Sequence, residues 1–308
     1  MLRQIPDFLR ELREPWLVCV PEELQKHIRF NAEICNVHKD LPEGLQYPGF
    51  EGKEYFIADY MSAGGGTISG HPIDEETCKA LEQLAKQEYF PKEYDVSAYR
   101  DLAEFLKAGG VDLSLERSHS FAKKEEYPEL ARKYIPKEAF QRTKEIYELL
   151  PEHHFGHEHF KELRLGGWGD GAAKCSEYED PVVHMFEFAV KGARRNYAGL
   201  LLHETGHAHF EFLRNDRNRL GEDIYECFKE LGGYRGIKPF VIDYLGGIES
   251  RIYAIKTVDE FAAEVYLLYV ARGTELKKVI LLLPERLKKP WQKLYDTFKQ
   301  SFDGIEYE

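Results

Sequence analysis

Two histidines and a glutamate lie together in the stretch His203-Glu204-Thr205-Gly206-His207, which has the form H-E-x-x-H. On a helix, His203 and His207 project from one face one turn apart, so both rings can bind one tetrahedral metal ion. The carboxylate of Glu204 lies beside them and can accept a proton from water, whose pKa a bound zinc ion lowers from about 16 to about 7. The spacing therefore predicts one zinc ion per chain and hydrolysis of peptide bonds by a metal-activated water.

The residues around this stretch predict a helix that is largely buried. Residues 197–202, which precede it, are rich in apolar side chains, and Phe210 and Leu213 continue the pattern after it. Gly206 lies between the histidines although glycine costs a helix about 1 kcal/mol relative to alanine, which indicates close packing there. His209 follows His207 by two positions, so it points to another face and is predicted to be a packing or surface residue.

A catalytic zinc ion usually takes three protein ligands, so one more must be found. The metzincin extension needs glycine and histidine where this chain has Phe210 and Leu213, which excludes that pattern. A thermolysin-type arrangement would take Glu222 or Glu226 from a helix shortly downstream. The remaining candidate is Glu260.

Glu260 also has an interpretation that involves no metal. It ends the stretch Thr257-Val258-Asp259-Glu260, which fits a capping box, in which the glutamate turns back to the start of its own helix. The residues alone leave both roles open.

Three features occur together in the C-terminal half: the stretch from His203 to Ala208, a tyrosine at position 253 seven residues before Glu260, and the sequence Glu260-Phe261-Ala262-Ala263-Glu264. Together they resemble the catalytic domain of anthrax lethal factor and its relatives, which include the Pro-Pro endopeptidases. The resemblance covers roughly residues 135–308 and does not extend to the first 130.

This resemblance implies a zincin-like fold, with an active-site helix beside a small mixed sheet. It implies that His203, His207 and Glu260 bind zinc and that Glu204 is the general base. Tyr253 would donate its hydroxyl group to the developing oxyanion, and Glu264 would hold a ligand histidine in orientation.

The length of 308 residues predicts two domains, since single domains usually have about 100–150 residues. The charged segment 116–133 is the candidate boundary, which gives an α-rich or mixed N-terminal domain at 1–130 and a catalytic domain at 131–308. The fold class expected for the chain is α+β.

Local patterns predict helices at residues 73–90 and 96–108, and a third helix that starts at Pro136 and runs to residue 150. Alternating segments predict strands at 161–165 and 182–190, separated by a glycine-rich loop. Extended substrates often pair with an edge strand, so we expect residues 166–178 to form the substrate wall. Within it, the candidate substrate-binding residues are Gly167, Trp168 and Gly169.

A second group of histidines lies upstream, at His153, His154, His157 and His159. A tract of this kind can bind metal, but no cysteine accompanies it, and we expect a solvated turn. The chain's five cysteines are widely spaced without a C-x-x-C pair, which predicts reduced thiols.

The charge and hydropathy of the chain limit its partners. A formal net charge of -12 argues against nucleic acid and anionic membrane surfaces as partners, so we expect a peptide or protein substrate. The first 16 residues mix charged and apolar positions, unlike a signal peptide, and no apolar run of about 18 residues occurs, so a cytoplasmic location is expected. The rival hypothesis is a catalytically inactive or toxin-like binding protein that retains the fold.

Overall fold

Helices and a small sheet make up the computed structural model, which describes residues 1–11, 93–117, 120–121, 123–167, 173–176, 181–186, 190, 197–215, 219–231, 257–283 and 285–308. The helices are α1 (Asp7–Glu11), α2 (Val96–Ala108), α3 (Tyr127–Lys133), α4 (Lys137–Leu149), α5 (Tyr197–Asn215), α6 (Leu220–Glu230), α7 (Val258–Leu282) and α8 (Glu285–Ser301). The strands are β1 (Leu2–Arg3), β2 (Asp112–Arg117), β3 (Ser120–Phe121), β4 (Glu162–Gly166), β5 (Ala173–Ser176), β6 (Val182–Met185) and β7 (Glu306–Tyr307). This combination of helices with a small mixed sheet agrees with the expected α+β class.

The main sheet has five strands in the order β3-β2-β4-β6-β5. Strands β2, β4 and β6 are parallel, while β3 and β5 pair antiparallel at its two ends. Leu113, Leu163 and Val183 are register partners, and all three are buried, which gives the sheet an apolar face. Residues alternate between the two faces of a strand, so Glu162 and Arg164 project from the opposite face. Strand β5 lies at the end of the sheet that packs against α5.

The domain boundary predicted near residue 130 needs correction. Strand β2 precedes that position and β4 follows it, yet the two pair in parallel over five residues of each strand. Helix α2 also precedes it and packs against α4. The charged segment 116–133 contains the end of β2, strand β3 and helix α3, so it is part of the folded body. Residues 12–92, with the predicted helix at 73–90, lie outside the described residues.

Other local predictions agree with the structure to different degrees. The helix predicted at 96–108 matches α2, and α4 begins at Lys137 with Pro136 immediately before it, in the N-cap position. The strand predicted at 182–190 is too long, because β6 ends at Met185. The N–H of Val190 donates to the carbonyl of Phe186 at 3.0 Å, and residues 187–189 lie outside the described residues.

The first eleven residues belong to the same body as the C-terminal elements. Strand β1 pairs in parallel with β7, and the N–H of Ile5 donates to the carbonyl of Glu308 at 3.3 Å. Ile5 and Leu9 are buried in the common apolar core. Among the described residues, no helix is both long and apolar enough to cross a lipid bilayer.

Candidate metal centre

Helix α5 carries both histidines of the H-E-x-x-H stretch, and its apolar side chains anchor it in the core. Leu201, Leu202 and Ala208 are fully buried, which leaves the histidine face directed toward the site. The Nε2 atoms of His203 and His207 lie 3.1 Å apart, and their rings are nearly perpendicular, at 86°. The i, i+4 spacing therefore brings two nitrogen donors to one point, as expected from the sequence.

Helix α7 provides the third donor. The Oε2 atom of Glu260 lies 3.2 Å from Nε2 of His203 and 3.4 Å from Nε2 of His207. Within the described ranges, these three residues are the one group of three or more His, Cys, Asp or Glu side chains arranged to hold a metal ion. Tetrahedral ligands at about 2.0–2.1 Å from a zinc ion are separated by about 3.3–3.4 Å, so the three donors fit zinc. The Oε2 atom of Glu260 is also buried and makes no hydrogen bond of ordinary geometry, which is expected of an oxygen that binds a metal ion.

The capping box predicted at residues 257–260 is only half formed. The backbone N–H of Glu260 donates to Oγ1 of Thr257 at 3.2 Å, so Thr257 caps the start of α7. The carboxylate of Glu260 turns instead to the two histidines of α5. Those rings hold the pKa of the Glu260 carboxyl well below its usual range, against the effect of burial, which alone would raise it.

The two thermolysin-type candidates lie on α6 and contact other residues. The Oε2 atom of Glu226 is 2.7 Å from Nζ of Lys293 on α8. The Oε2 atom of Glu222 is 3.6 Å from Nε of Arg219, and both glutamate side chains are exposed. The structure therefore brings Glu260, and neither of these two residues, to the histidine pair.

Glu264 lies one turn beyond Glu260 on α7 and contacts the other nitrogen of His203. Its Oε1 atom is 3.1 Å from Nδ1 of His203, and the side chain is almost fully buried. Burial alone would lower the pKa of His203, but Glu260 and Glu264 together raise it well above its usual value. A carboxylate at Nδ1 favours the tautomer that presents the Nε2 lone pair to a metal. Glu264 therefore lies where the resemblance places an orienting residue.

Glu204 lies on α5, and its side chain is buried against β5, the end strand of the sheet. Burial raises the pKa of its carboxyl group, and the backbone N–H of Cys175 on β5 donates a hydrogen bond to it. A carboxyl group with a raised pKa is a stronger base when ionised. The candidate base therefore lies beside both the donor atoms and the edge strand.

The predicted substrate wall is described in part. Strand β5 lies inside residues 166–178, and Gly167 follows the end of β4. Gly167 has φ +74°, and a Cβ atom there would meet the side chain of Glu116, so both conformation and space favour glycine. Trp168, Gly169 and the candidate oxyanion donor Tyr253 lie outside the described residues.

The solvated turn expected at the upstream histidines is wrong for His154, whereas His153 is exposed and His157 and His159 are partly exposed. His154 is fully buried, with Nδ1 2.9 Å from the hydroxyl of Tyr266 and Nε2 2.8 Å from the carbonyl of Ser301. The ring of His209 stacks on that of His154 at 3.7 Å and is fully buried, so of the two alternatives left open for this residue, packing or surface, the structure shows packing. Burial lowers the pKa of both rings well below the usual value. Nothing in the sequence pairs these two histidines, because their contact depends on tertiary packing.

Comparison of the chain with protein-family models, with curated protein sequences and with solved structures gave no match. What the site can do chemically therefore follows from its own residues.

Proposed function

We propose that the protein is a zinc-dependent endopeptidase with a zincin-like catalytic domain of the lethal-factor type. The observation that carries the proposal is the convergence of His203, His207 and Glu260, whose donor atoms lie 3.1 to 3.4 Å apart. A set of two histidines and one carboxylate is typical of catalytic zinc, which keeps its fourth position open, whereas structural sites are usually closed by cysteines. The adjacent Glu204 favours hydrolysis over a purely structural role for the metal.

Zinc bound at these three residues would supply a Lewis acid that polarises the scissile carbonyl group and acidifies water. Glu264 holds His203 in place through Nδ1, so the ligand ring is oriented before substrate arrives. In the metal-free protein the same contacts favour the protonated ring, so His203 would lose a proton on becoming a metal ligand.

Glu204 would act as the general base and then as the general acid. Its buried carboxylate takes a proton from the attacking water and later delivers it to the nitrogen of the leaving amine, which balances the protons of peptide hydrolysis. The raised pKa of this carboxyl group supports both transfers, since it moves toward the pH at which the enzyme would work. By its resemblance, Tyr253 would stabilise the oxyanion.

An extended peptide would bind along β5. This strand ends the sheet order, so no further strand of the described structure pairs with its outer edge. A substrate that adds to this edge gains main-chain hydrogen bonds, and its scissile bond is held beside Glu204 on α5. Gly167, Trp168 and Gly169 remain the candidate substrate-binding residues, and of these Gly167 follows the end of β4.

The substitution Glu204→Gln tests the proposed chemistry. The amide keeps the shape of the side chain but cannot accept the proton of water, so activity should fall by about 10²–10⁴ while zinc remains bound. Cleavage of a peptide library, read by mass spectrometry, first identifies a substrate and then measures the loss. Glu211→Gln is the matched control, since Glu211 is a buried carboxylate on the same helix that pairs with Arg214. Wild-type activity in Glu204→Gln would remove Glu204 from the mechanism.

A further inference from the structure

Helices α5 and α7 approach each other very closely at Gly206. A Cβ atom built on Gly206 would lie 2.9 Å from Cα and 3.1 Å from the carbonyl oxygen of Ala263, and 3.0 Å from Cβ of Tyr266. Ordinary contacts of a Cβ atom begin near 3.4 Å. The nearest atoms belong to the backbone of α7, so a rotamer change cannot relieve the contact. The close packing predicted from Gly206 is confirmed, and its partner is Ala263.

The position of this contact relative to the metal centre is the same on both helices. His203 and His207 lie three residues before and one residue after Gly206. Glu260 and Glu264 lie three residues before and one residue after Ala263. The contact between the two small residues is thus bracketed on each helix by residues of the site.

We propose that the contact between Gly206 and Ala263 is the spacer that sets zinc affinity, an inference that rests on the proposed function. Helix α5 supplies two of the donor atoms and α7 the third, so the interhelical distance fixes how far Glu260 lies from both histidines. Neither Gly206 nor Ala263 supplies a donor atom to the candidate metal site. They are positioning residues that act through the ligands of the two helices.

The expected displacement follows from the contact distance. Moving a Cβ atom from 2.9 Å to the 3.4 Å of an ordinary contact separates the backbones by at least 0.5 Å near this point. The separations of 3.2 and 3.4 Å between Glu260 and the histidine nitrogens would lengthen, as would the 3.1 Å contact of Glu264 with His203. Both the third ligand and the orienting carboxylate move away together, so a change in the Glu260 rotamer alone cannot restore the site.

The experiment enlarges the contact from each helix in turn. Gly206→Ala adds a Cβ atom on α5, and Ala263→Val adds two methyl groups on α7. Gly273→Ala is the matched control, because Gly273 also lies on α7 against backbone, 3.1 Å from the carbonyl oxygen of Tyr307 for an added Cβ, but thirteen residues beyond Glu260. The zinc Kd of each protein is measured by competition with a chromophoric chelator, and far-UV circular dichroism and the Tm of the metal-free protein report folding.

We expect Gly206→Ala and Ala263→Val to raise the zinc Kd by about 10- to 100-fold, the range seen when outer partners of metal ligands are lost. Gly273→Ala should change Tm but leave the Kd within roughly twofold of wild type, because it is far from the ligands. Alanine favours helix more than glycine, so a drop in zinc affinity cannot be assigned to weaker helix formation.

Other results would overturn the inference. A folded Gly206→Ala protein with the wild-type Kd would show that the interhelical spacing does not govern the site. Failure of both enlarged variants to fold, while Gly273→Ala folds, would assign the contact to folding alone. Wild-type protein that binds no zinc would contradict the proposed function itself. Zinc binding by the wild-type protein is therefore measured before any variant is compared.

Discussion

Replacing Glu260 by alanine separates its role as a metal ligand from a role in capping. The substitution removes one of the three donor atoms that lie 3.1 to 3.4 Å apart. It leaves the start of α7 intact, because Oγ1 of Thr257 accepts its hydrogen bond from the backbone N–H of residue 260, which alanine also has. The helix should therefore form normally around a weakened metal site.

The size of the effect can be worked from the number of ligands. Four-ligand zinc sites in small zinc-finger peptides bind with about 10–16 kcal/mol, or about 2.5–4 kcal/mol per ligand. Because about 1.4 kcal/mol corresponds to a tenfold change, Glu260→Ala should raise the zinc Kd by about 10²–10³. If Glu260 served only as a cap, the change would cost about 1 kcal/mol of stability and leave the Kd unchanged.

The assay is zinc titration in competition with a chelator, together with the Tm of the metal-free protein. Glu226→Ala and Glu222→Ala are the controls, since both glutamates are exposed and contact cations at other places on the surface. A Kd within about threefold of wild type for Glu260→Ala would refute the assignment of the third ligand. A large loss of zinc in either control would refute it in favour of the thermolysin-type arrangement.

Two further predictions follow from other contacts. Glu264→Gln should weaken zinc binding by about 10- to 100-fold, because the amide holds Nδ1 of His203 less strongly than a carboxylate; an unchanged Kd in the same chelator titration would exclude an orienting role. The pKa of His157 is lowered from the usual 6.5 to about 4, mainly by burial and next by the positive charge of the neighbouring His159. The unfolded chain therefore binds this proton first, and the free energy of unfolding should fall as the pH drops from about 6.5 to about 4. Urea unfolding across this range should show a flatter dependence in His157→Asn, which keeps an acceptor for the N–H of His159; an equally steep dependence would contradict the assignment.

The histidine pair of the site could be predicted from the sequence because its geometry is local. A helix places residues four apart on one face, and the apolar residues around His203 and His207 fix which face is buried. Glu260 is more than fifty residues away, and the residues alone left its roles as ligand and as cap both open, so only the family resemblance favoured the ligand role. The packing of α7 on α5 brings the Glu260 carboxylate to the two histidines, and short sequence patterns do not encode that contact.

The fold was predicted well within single elements and poorly between them. The helix at 96–108 depends on its own periodicity, and α2 occupies those residues. The parallel pairing of β2 with β4 joins segments on either side of the predicted boundary at 130, and charge along the chain carries no information about such a partner. Ala263 was missed for a related reason. On each helix the small residue lies three positions after one site residue and one position before the next. This common spacing of Gly206 and Ala263 is recognised only when α5 and α7 are compared as a packed pair.

Zinc content tests the central claim most directly. Protein purified without chelators and then supplied with zinc should hold about one zinc ion per chain by elemental analysis, while His203→Ala and His207→Ala should each hold much less. The sequence and the geometry of the three donors both predict this result. Wild-type protein that carries no zinc and takes up none on titration would contradict the account.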